Sequence, residues 1–101
     1  MPELHPYDVI RRPVITEKST VLQDDLNQFV FEVAPKANKF QIMEAIELVF
    51  DIDADDILKV RTMVMPAKRG RRGRKVYIRH RQWKKAIVTL NDGISIEIFN
   101  V

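Results

Sequence analysis

The sequence contains no cysteine, and this absence excludes disulfides, thiolate metal sites and cysteine nucleophiles. Long apolar runs are also missing: none approaches the roughly 20 residues that cross a bilayer, so we expect no membrane insertion. The first twelve residues contain proline, histidine and acidic groups, where a signal peptide would need an apolar core. We therefore expect a cytoplasmic protein.

Carboxylates are absent from residues 57–91, which carry twelve basic groups and a net charge of +12. Residues 1–56 carry five basic and twelve acidic groups, a net of −7, and residues 92–101 contribute −2. The total of +3 therefore conceals a segment of extreme sign. Ordinary charged surfaces mix both signs, so such a segment repels itself unless a polyanion neutralises it.

The chain of 101 residues has the size of one domain, and no repeat or linker divides it. At this size little room remains for a second domain or a deep cofactor cleft. We therefore treat residues 1–101 as a single domain that needs no cofactor.

Short alternating runs predict strands that end at prolines or turns. In the run over 57–65, Leu58, Val60, Thr62 and Val64 alternate with Lys59, Arg61 and Met63. Runs 57–65 and 82–90 most simply pair as an antiparallel hairpin, which would place Lys59, Arg61, Trp83 and Lys85 on one face. The predicted strands cover residues 9–12, 28–34, 57–65, 82–90 and, after the turn at Gly93, 94–99.

Two capped helices are predicted between the strands. Thr16 offers an N-cap for a helix from Glu17 to about residue 22. Asn38, with Gln41 in capping-box spacing, begins the main helix. The apolar face of this helix is predicted to contain Phe40, Met43, Ile46, Val49 and Phe50. The fold class is therefore α+β, with an antiparallel sheet of about four strands and helices packed on one face.

The segment 66–81 contains eight Lys or Arg residues and two glycines, and little of it could be buried. It is predicted to be a long basic hairpin loop or an extended ribbon, disordered without a polyanion because it cannot offset its ordering entropy. Dense cations release counterions on binding phosphates, and the aromatics could stack on unpaired bases. The candidate RNA-binding residues here are Lys68, Arg69, Arg71, Arg72, Arg74, Lys75, Tyr77, Arg79 and Arg81, joined by Lys59, Arg61, Trp83 and Lys85 of the strands.

RNA is favoured over duplex DNA because no recognition helix carries the cations. Other motif matches are weaker. The aspartates at 51, 53 and 55 lack the glycine and glutamate of an EF-hand loop. The run from Gly70 to Gly73 matches the GXXG of KH domains, but that loop joins two helices. The basic run could also be a nuclear localisation signal. We find no catalytic or metal-ligating set.

Three ordered motifs, spread over about residues 9–98, resemble those of bacterial-type ribosomal protein L23, a family of the large subunit. The third motif is the most specific and precedes the turn at Gly93. The motifs are Arg12-Pro13-Val14-Ile15-Thr16-Glu17-Lys18-Ser19; Ala37-Asn38-Lys39 with Ile42, Ala45 and Phe50; and Trp83-Lys84-Lys85-Ala86-Ile87-Val88-Thr89-Leu90. Arg61 and Glu44 depart from the pattern, which commonly has Asn and Lys there.

The resemblance implies a non-catalytic protein that binds large-subunit rRNA beside the exit of the nascent-chain tunnel, in one copy per ribosome. It implies that ribosomal protein L29 is a neighbour in the subunit. It also implies that trigger factor and the signal recognition particle dock on the protein. It adds Lys36, Lys39 and Lys84 to the RNA contacts and makes Glu17 the chaperone-docking residue. The alternatives are a stand-alone RNA-binding module and, with no supporting residues, a small enzyme.

Overall fold

The structure is a computed structural model that describes residues 5–96, except for the side chains of Arg69, Arg72 and residues 76–80. Its helices are α1 (Pro6–Val9), α2 (Glu17–Leu26) and α3 (Lys39–Phe50), with a single 3-10 turn at Ala54–Asp56. Its strands are β1 (Ile10–Pro13), β2 (Gln28–Val33), β3 (Ile57–Met65), β4 (Lys68–Arg72), β5 (Lys75–His80) and β6 (Trp83–Leu90).

Four strands form an antiparallel sheet in the order β1-β2-β6-β3. Strand β6 lies inside this sheet and pairs with β2 on one side and β3 on the other. The predicted hairpin of residues 57–65 with 82–90 is thus confirmed, with Val60 opposite Val88 and Met65 opposite Trp83. The α+β class and the sheet of four strands are confirmed as well.

One face of the sheet carries the hydrophobic core. Alternate residues of the two inner strands are buried there, and α3 packs onto them with its own buried side chains. Helix α1 lies against α3 and adds Val9. The largest fully buried side chains are Phe29, Phe31, Ile42, Ile46, Leu90, Val9, Val33 and Val88. Val30, which alternates with Phe29 and Phe31, is buried on the opposite face and outside this cluster.

Both predicted N-caps are present. Asn38 Oδ1 accepts from the Gln41 N–H and Gln41 Oε1 accepts from the Asn38 N–H, each at 2.9 Å, which completes the predicted capping box. Thr16 and Ser19 make the same reciprocal pair at the start of α2. Helix α2 runs four residues further than predicted and ends at Asn27, whose φ of 52° is left-handed. The Asn27 amide then donates to the carbonyls of Leu90, Asn91 and Ile94, joining this helix end to the end of β6.

The apolar face predicted for α3 is wrong in part. Phe40 is 72% exposed and Val49 is 37% exposed, whereas Ile42, Ala45 and Ile46 are buried. Successive helical residues are about 100° apart, so Phe40 lies about 200° around the helix from Ile42. The buried face follows Ile42, three and four residues apart, and Phe40 points away from it.

The face predicted for β3 is also wrong at its first position. The pairing register with β6 shifts between Ile57 and Lys59, so one extra residue enters the strand there. Ile57 is buried and Leu58 is 59% exposed. Val60 keeps its predicted place in the core, but Thr62 and Val64 are exposed beyond it.

Of the two forms predicted for residues 66–81, a long basic loop and an extended ribbon, the structure has the second: β4 and β5 form a two-stranded ribbon, separate from the main sheet. The disorder expected without a polyanion stays a prediction. Gly73 has a φ of 64° and takes the first central position of the turn, where type II′ hairpins need glycine. This turn closes the backbone pairing of β4 with β5. Because Gly70 and Gly73 lie in a strand and its turn, the KH interpretation is excluded.

The strand predicted over 94–99 is not found where the structure can test it. Residues 94–96 have no strand conformation, and 97–99 lie outside the described residues. The turn before them is present: the Ile94 N–H donates to the Asn91 carbonyl at 3.1 Å, and Gly93 has a φ of 86°. This is the left-handed position that a type II turn requires at its third residue.

The difference between Ile46 and Phe40 can be tested by truncating each to alanine. Ile46→Ala should lower the free energy of unfolding by about 2–5 kcal/mol, because it opens a cavity in the core. Phe40→Ala should change it by no more than about 0.5 kcal/mol, although phenylalanine is the larger side chain. Urea unfolding followed by circular dichroism measures both. A larger loss for Phe40→Ala would show that the described face of α3 is wrong.

Candidate nucleic-acid interface

The register of the sheet gathers four predicted RNA-binding residues on the face opposite the core, here called the outer face. Alternation along β6 puts Trp83 and Lys85 there, opposite in direction to Ala86 and Val88. In the neighbouring strand Met65 pairs with Trp83 and Met63 with Lys85. Lys59 and Arg61 follow with the same alternation and are exposed. The prediction that Lys59, Arg61, Trp83 and Lys85 share one face is therefore confirmed.

Lys84 points to the other side of the sheet. It pairs in register with Val33, which is buried in the core, and its side chain is half-buried. Its ammonium donates to the backbone carbonyl of Ala37, in the turn between β2 and α3. The structure thus separates Lys84 from the outer face and gives its charge an internal partner.

An open groove of about 800 Å³ lies between β1 and the foot of the ribbon. Its lining combines basic, apolar and aromatic side chains with one carboxylate. The basic residues are Arg11, Arg12, Lys68 and Arg81; the others are Pro13, Val14, Ile15, Glu32, Met65, Pro66, Gln82 and Trp83. The groove is therefore lined both by β1, which belongs to the acidic residues 1–56, and by the foot of the ribbon, which belongs to the basic residues 57–91.

Two of the lining residues, Arg12 and Glu32, form an ion pair. Arg12 Nη2 donates to Glu32 Oε1 at 3.0 Å, and the two residues are direct neighbours across the β1–β2 pair. The Glu32 side chain is 15% exposed and that of Arg12 is 72% exposed. Such an exposed pair adds little to stability. It leaves most of the guanidinium available to a ligand and engages the one carboxylate among the groove residues.

Arg11 and Arg12 were not among the predicted RNA-binding residues. Both lie within residues 1–56, whose net charge of −7 gives no indication of an RNA-binding surface. The available signal was their position beside Pro13 at the start of the first family-like motif. Their place beside Lys68 and Arg81 depends on strand pairing, which the local sequence does not reveal.

The ribbon keeps most of its cations apart from one another. Arg69 pairs in register with Ile78, Gly70 with Tyr77, and Arg71 with Val76. Only at the turn do two cations oppose each other, Arg72 and Lys75. Like charges directly opposite destabilise a strand pair, so this register lowers the cost of a ribbon without carboxylates.

The other predicted RNA-binding cations of the basic segment lie on the ribbon or at its foot. Lys68, Arg71, Arg74, Lys75 and Arg81 are exposed on the ribbon or at its foot. The side chains of four predicted residues lie outside the description: Arg69, Arg72, Tyr77 and Arg79.

Three further predicted residues lie on neither the main sheet nor the ribbon. Lys36 and Lys39 are exposed around the turn that enters α3. Glu17 is exposed in the first turn of α2, after the Thr16 cap. The structure therefore does not bring Glu17, Lys36 or Lys39 into the groove.

Two further kinds of feature bear on function: metal-ligating clusters and helices that could cross a membrane. Within residues 5–96 no three His, Cys, Asp or Glu side chains come together in a way that could hold a metal ion. The aspartates at 51, 53 and 55 are exposed around a turn. Across these residues no helix has the length and apolar character needed to cross a membrane.

Comparison with known proteins gives one consistent family. The model of the family described as Ribosomal protein L23 matches residues 8–98. A protein named Large ribosomal subunit protein uL23 from Desulfatibacillum aliphaticivorans is 47% identical over 97 residues, covering 96% of this chain and 98% of its own. Proteins of the same name from Sorangium cellulosum and Geobacter sulfurreducens are 46% and 42% identical, covering 96% and 94% of this chain and 96% and 97% of their own.

The neighbouring lysines 84 and 85 provide a matched test of the strand alternation. Lys84→Met should lower the free energy of unfolding by about 1–3 kcal/mol, because the Ala37 carbonyl loses a charged donor. Lys85→Met should change it by no more than about 0.5 kcal/mol. Thermal unfolding of the two variants measures the difference. Equal losses would contradict the internal role of the Lys84 ammonium.

Proposed function

The chain belongs to the ribosomal protein L23 family, a non-enzymatic family of the large ribosomal subunit, and from this we propose that it binds large-subunit rRNA beside the nascent-chain tunnel exit. Family membership confirms the resemblance seen in the three motifs and the expectation of a protein without catalytic activity. The ribosome-bound, cytoplasmic location expected from the sequence follows from the same membership.

The observation that carries rRNA binding is the stretch of residues 57–91, which has twelve basic groups and no carboxylate. Its strands place exposed cations on the outer face and along the ribbon, while the core lies on the other side of the sheet. Phosphate contacts from such groups supply affinity through counterion release. The backbone of RNA is the polyanion that a large-subunit protein meets.

The mechanism we propose is scaffolding rather than chemistry. The outer face lies on the RNA surface, and the ribbon enters between RNA segments, where its cations neutralise phosphates from more than one direction. The core and α3 stay on the side away from the RNA. Binding of this kind holds distant RNA segments together and supports assembly of the subunit.

The exposed edge at the start of α2 is proposed as the docking site for trigger factor. Glu17 is exposed there, directly after the Thr16 cap, which is reciprocal with Ser19. Glu17 is not among the groove-lining residues, and we propose that a chaperone and RNA are bound at the same time. We also propose that ribosomal protein L29 is a neighbour in the subunit and that the signal recognition particle docks on this protein. Each ribosome would contain one copy of the chain.

A stand-alone RNA-binding module remains the second candidate, because the same basic ribbon would serve it. Sedimentation separates the two. A ribosomal constituent migrates with large subunits in equal molar amount through a high-salt wash, and a stand-alone module does not.

Affinity for rRNA should depend steeply on salt. With about six phosphate contacts, the binding constant should fall on the order of 10³-fold between about 50 and 200 mM salt. Lys85→Met should reduce the slope of log K against log salt by about 0.7–0.9, because one phosphate contact is lost. Filter binding to a large-subunit rRNA fragment measures both quantities.

Lys84→Met is the control for this measurement, because its ammonium is engaged by the Ala37 carbonyl. Its salt slope should match that of the original protein. A flat salt response of the original chain would overturn the electrostatic mechanism. Equal slope changes in both variants would show that the outer face is not the side that contacts RNA.

Glu17→Ala should weaken trigger-factor binding to ribosomes while the chain itself still sediments with large subunits. The reason is that the substitution removes an exposed carboxylate outside the groove and retains the Thr16 cap. Pelleting of ribosomes assembled with each protein, followed by quantification of bound trigger factor, measures the effect. Asp24→Ala, an exposed change at the other end of the same helix, is the control. Unchanged docking would exclude Glu17 as the contact.

A further inference from the structure

We propose that the groove between β1 and the foot of the ribbon holds one unpaired nucleotide, with its base stacked on Trp83 and its phosphates beside the groove arginines and Lys68. This inference rests on the proposed RNA-binding function and makes it more specific. The inference assigns a particular site to a nucleobase. The electrostatic binding proposed above, by contrast, requires only phosphates.

The lining of the groove has two chemical characters. Trp83 is half-buried, and apolar side chains from β1, β3 and the loops after them, including Val14, Met65 and Pro66, share the same space. An indole with part of its ring exposed in an apolar setting is a stacking surface for a nucleobase. Stacking tolerates any base, because every base has a π face.

The charges of the groove suit a nucleotide's phosphates. Arg11 and Arg12 come from one wall, and Lys68 and Arg81 from the other. The one carboxylate of the lining, Glu32, is already paired with Arg12 at 3.0 Å. An anion that enters the groove therefore meets cations on both walls and a carboxylate whose charge is compensated.

The size of the groove suits an unpaired nucleotide. Its volume of about 800 Å³ lies within the range of small-molecule pockets, roughly 300–1,000 Å³. A base pair within a helix presents only its edge to a groove of this kind, whereas an unpaired base can be turned out and stacked. An acidic peptide would satisfy the cations but would leave the exposed ring of Trp83 without a planar partner.

The single tryptophan of the chain makes this site directly observable. The full-length protein is titrated with an eight-nucleotide oligouridylate, an abasic oligomer of the same length, and inorganic polyphosphate. The abasic oligomer has the same phosphates and sugars but no bases. We expect the oligouridylate to quench Trp83 fluorescence strongly and the other two polyanions to bind with little quenching.

Two variants test the energetic contribution of stacking with fluorescently labelled oligomers. Trp83→Leu should weaken oligouridylate binding about 5- to 150-fold and leave binding of the abasic oligomer unchanged. Trp83→Phe, which retains an aromatic face, should recover most of the loss. Lys59→Gln, which changes a cation of the outer face outside the groove lining, should weaken both oligomers equally. Thermal unfolding checks that each variant is folded.

The outcomes separate the two levels of the proposal. Equal quenching by the abasic oligomer, or an equal effect of Trp83→Leu on both oligomers, would overturn the base site while leaving rRNA binding intact. An acidic peptide is titrated in the same way, and stronger quenching by this peptide than by oligouridylate would likewise overturn the base site in favour of a protein ligand. If neither the oligomers nor the rRNA fragment binds at low salt, the proposed RNA-binding function fails as well.

Discussion

The pairing of β6 with β2 and β3 determines which side of the molecule is core and which is charged. Along β6 the residues Ala86, Val88 and Leu90 are buried, and Trp83 and Lys85 lie on the other face. A slip of one residue would exchange the two sets, burying lysine and exposing valine. The burial of Phe29 and Phe31 opposite Val88 and Ala86 therefore holds the basic face in place. The position of the cations is a consequence of hydrophobic packing on the reverse side of the sheet.

The ribbon follows a different principle, because its sequence is rich in cations and contains few apolar residues. It contains no carboxylate that could offset its cations. Its register instead sets Arg69 and Arg71 opposite isoleucine and valine, and Gly73 provides the positive φ that closes the turn. Two contributions to the free energy thus favour the ribbon over a loop. One is backbone pairing, and the other is a register that keeps most cations from facing one another. The ribbon thus keeps a high density of cations while its register lowers the repulsion between them.

The parts of the fold that the sequence predicts are those set by local chemistry. The capping box of Asn38 and Gln41, the bounds of β3 and the alternation of β6 are examples. The errors arise where tertiary contacts decide. Leu58 is exposed because of a register shift, and Phe40 because α3 meets the sheet through Ile42 and its neighbours. Neither a bulge nor the angle at which a helix meets a sheet has a signature in the spacing of apolar residues.

The same difference between local chemistry and tertiary contacts separates the predicted residues of the candidate interface from those that the sequence does not predict. The cations of 57–91 are conspicuous because they are dense and contiguous, and most of them are exposed. Lys84 belongs to that run by sequence but not by position, because alternation turns it towards Ala37.

Arg11 and Arg12 belong to the interface by position but not by sequence. They reach the ribbon only because β1 pairs with β2, which in turn pairs with β6. A hairpin of β3 to β6 alone would keep Lys68 and Arg81 and lose the opposite wall of the groove. The proposed nucleotide site would therefore be a property of the folded domain, whereas the proposed bulk attraction to a polyanion would be a property of the basic segment.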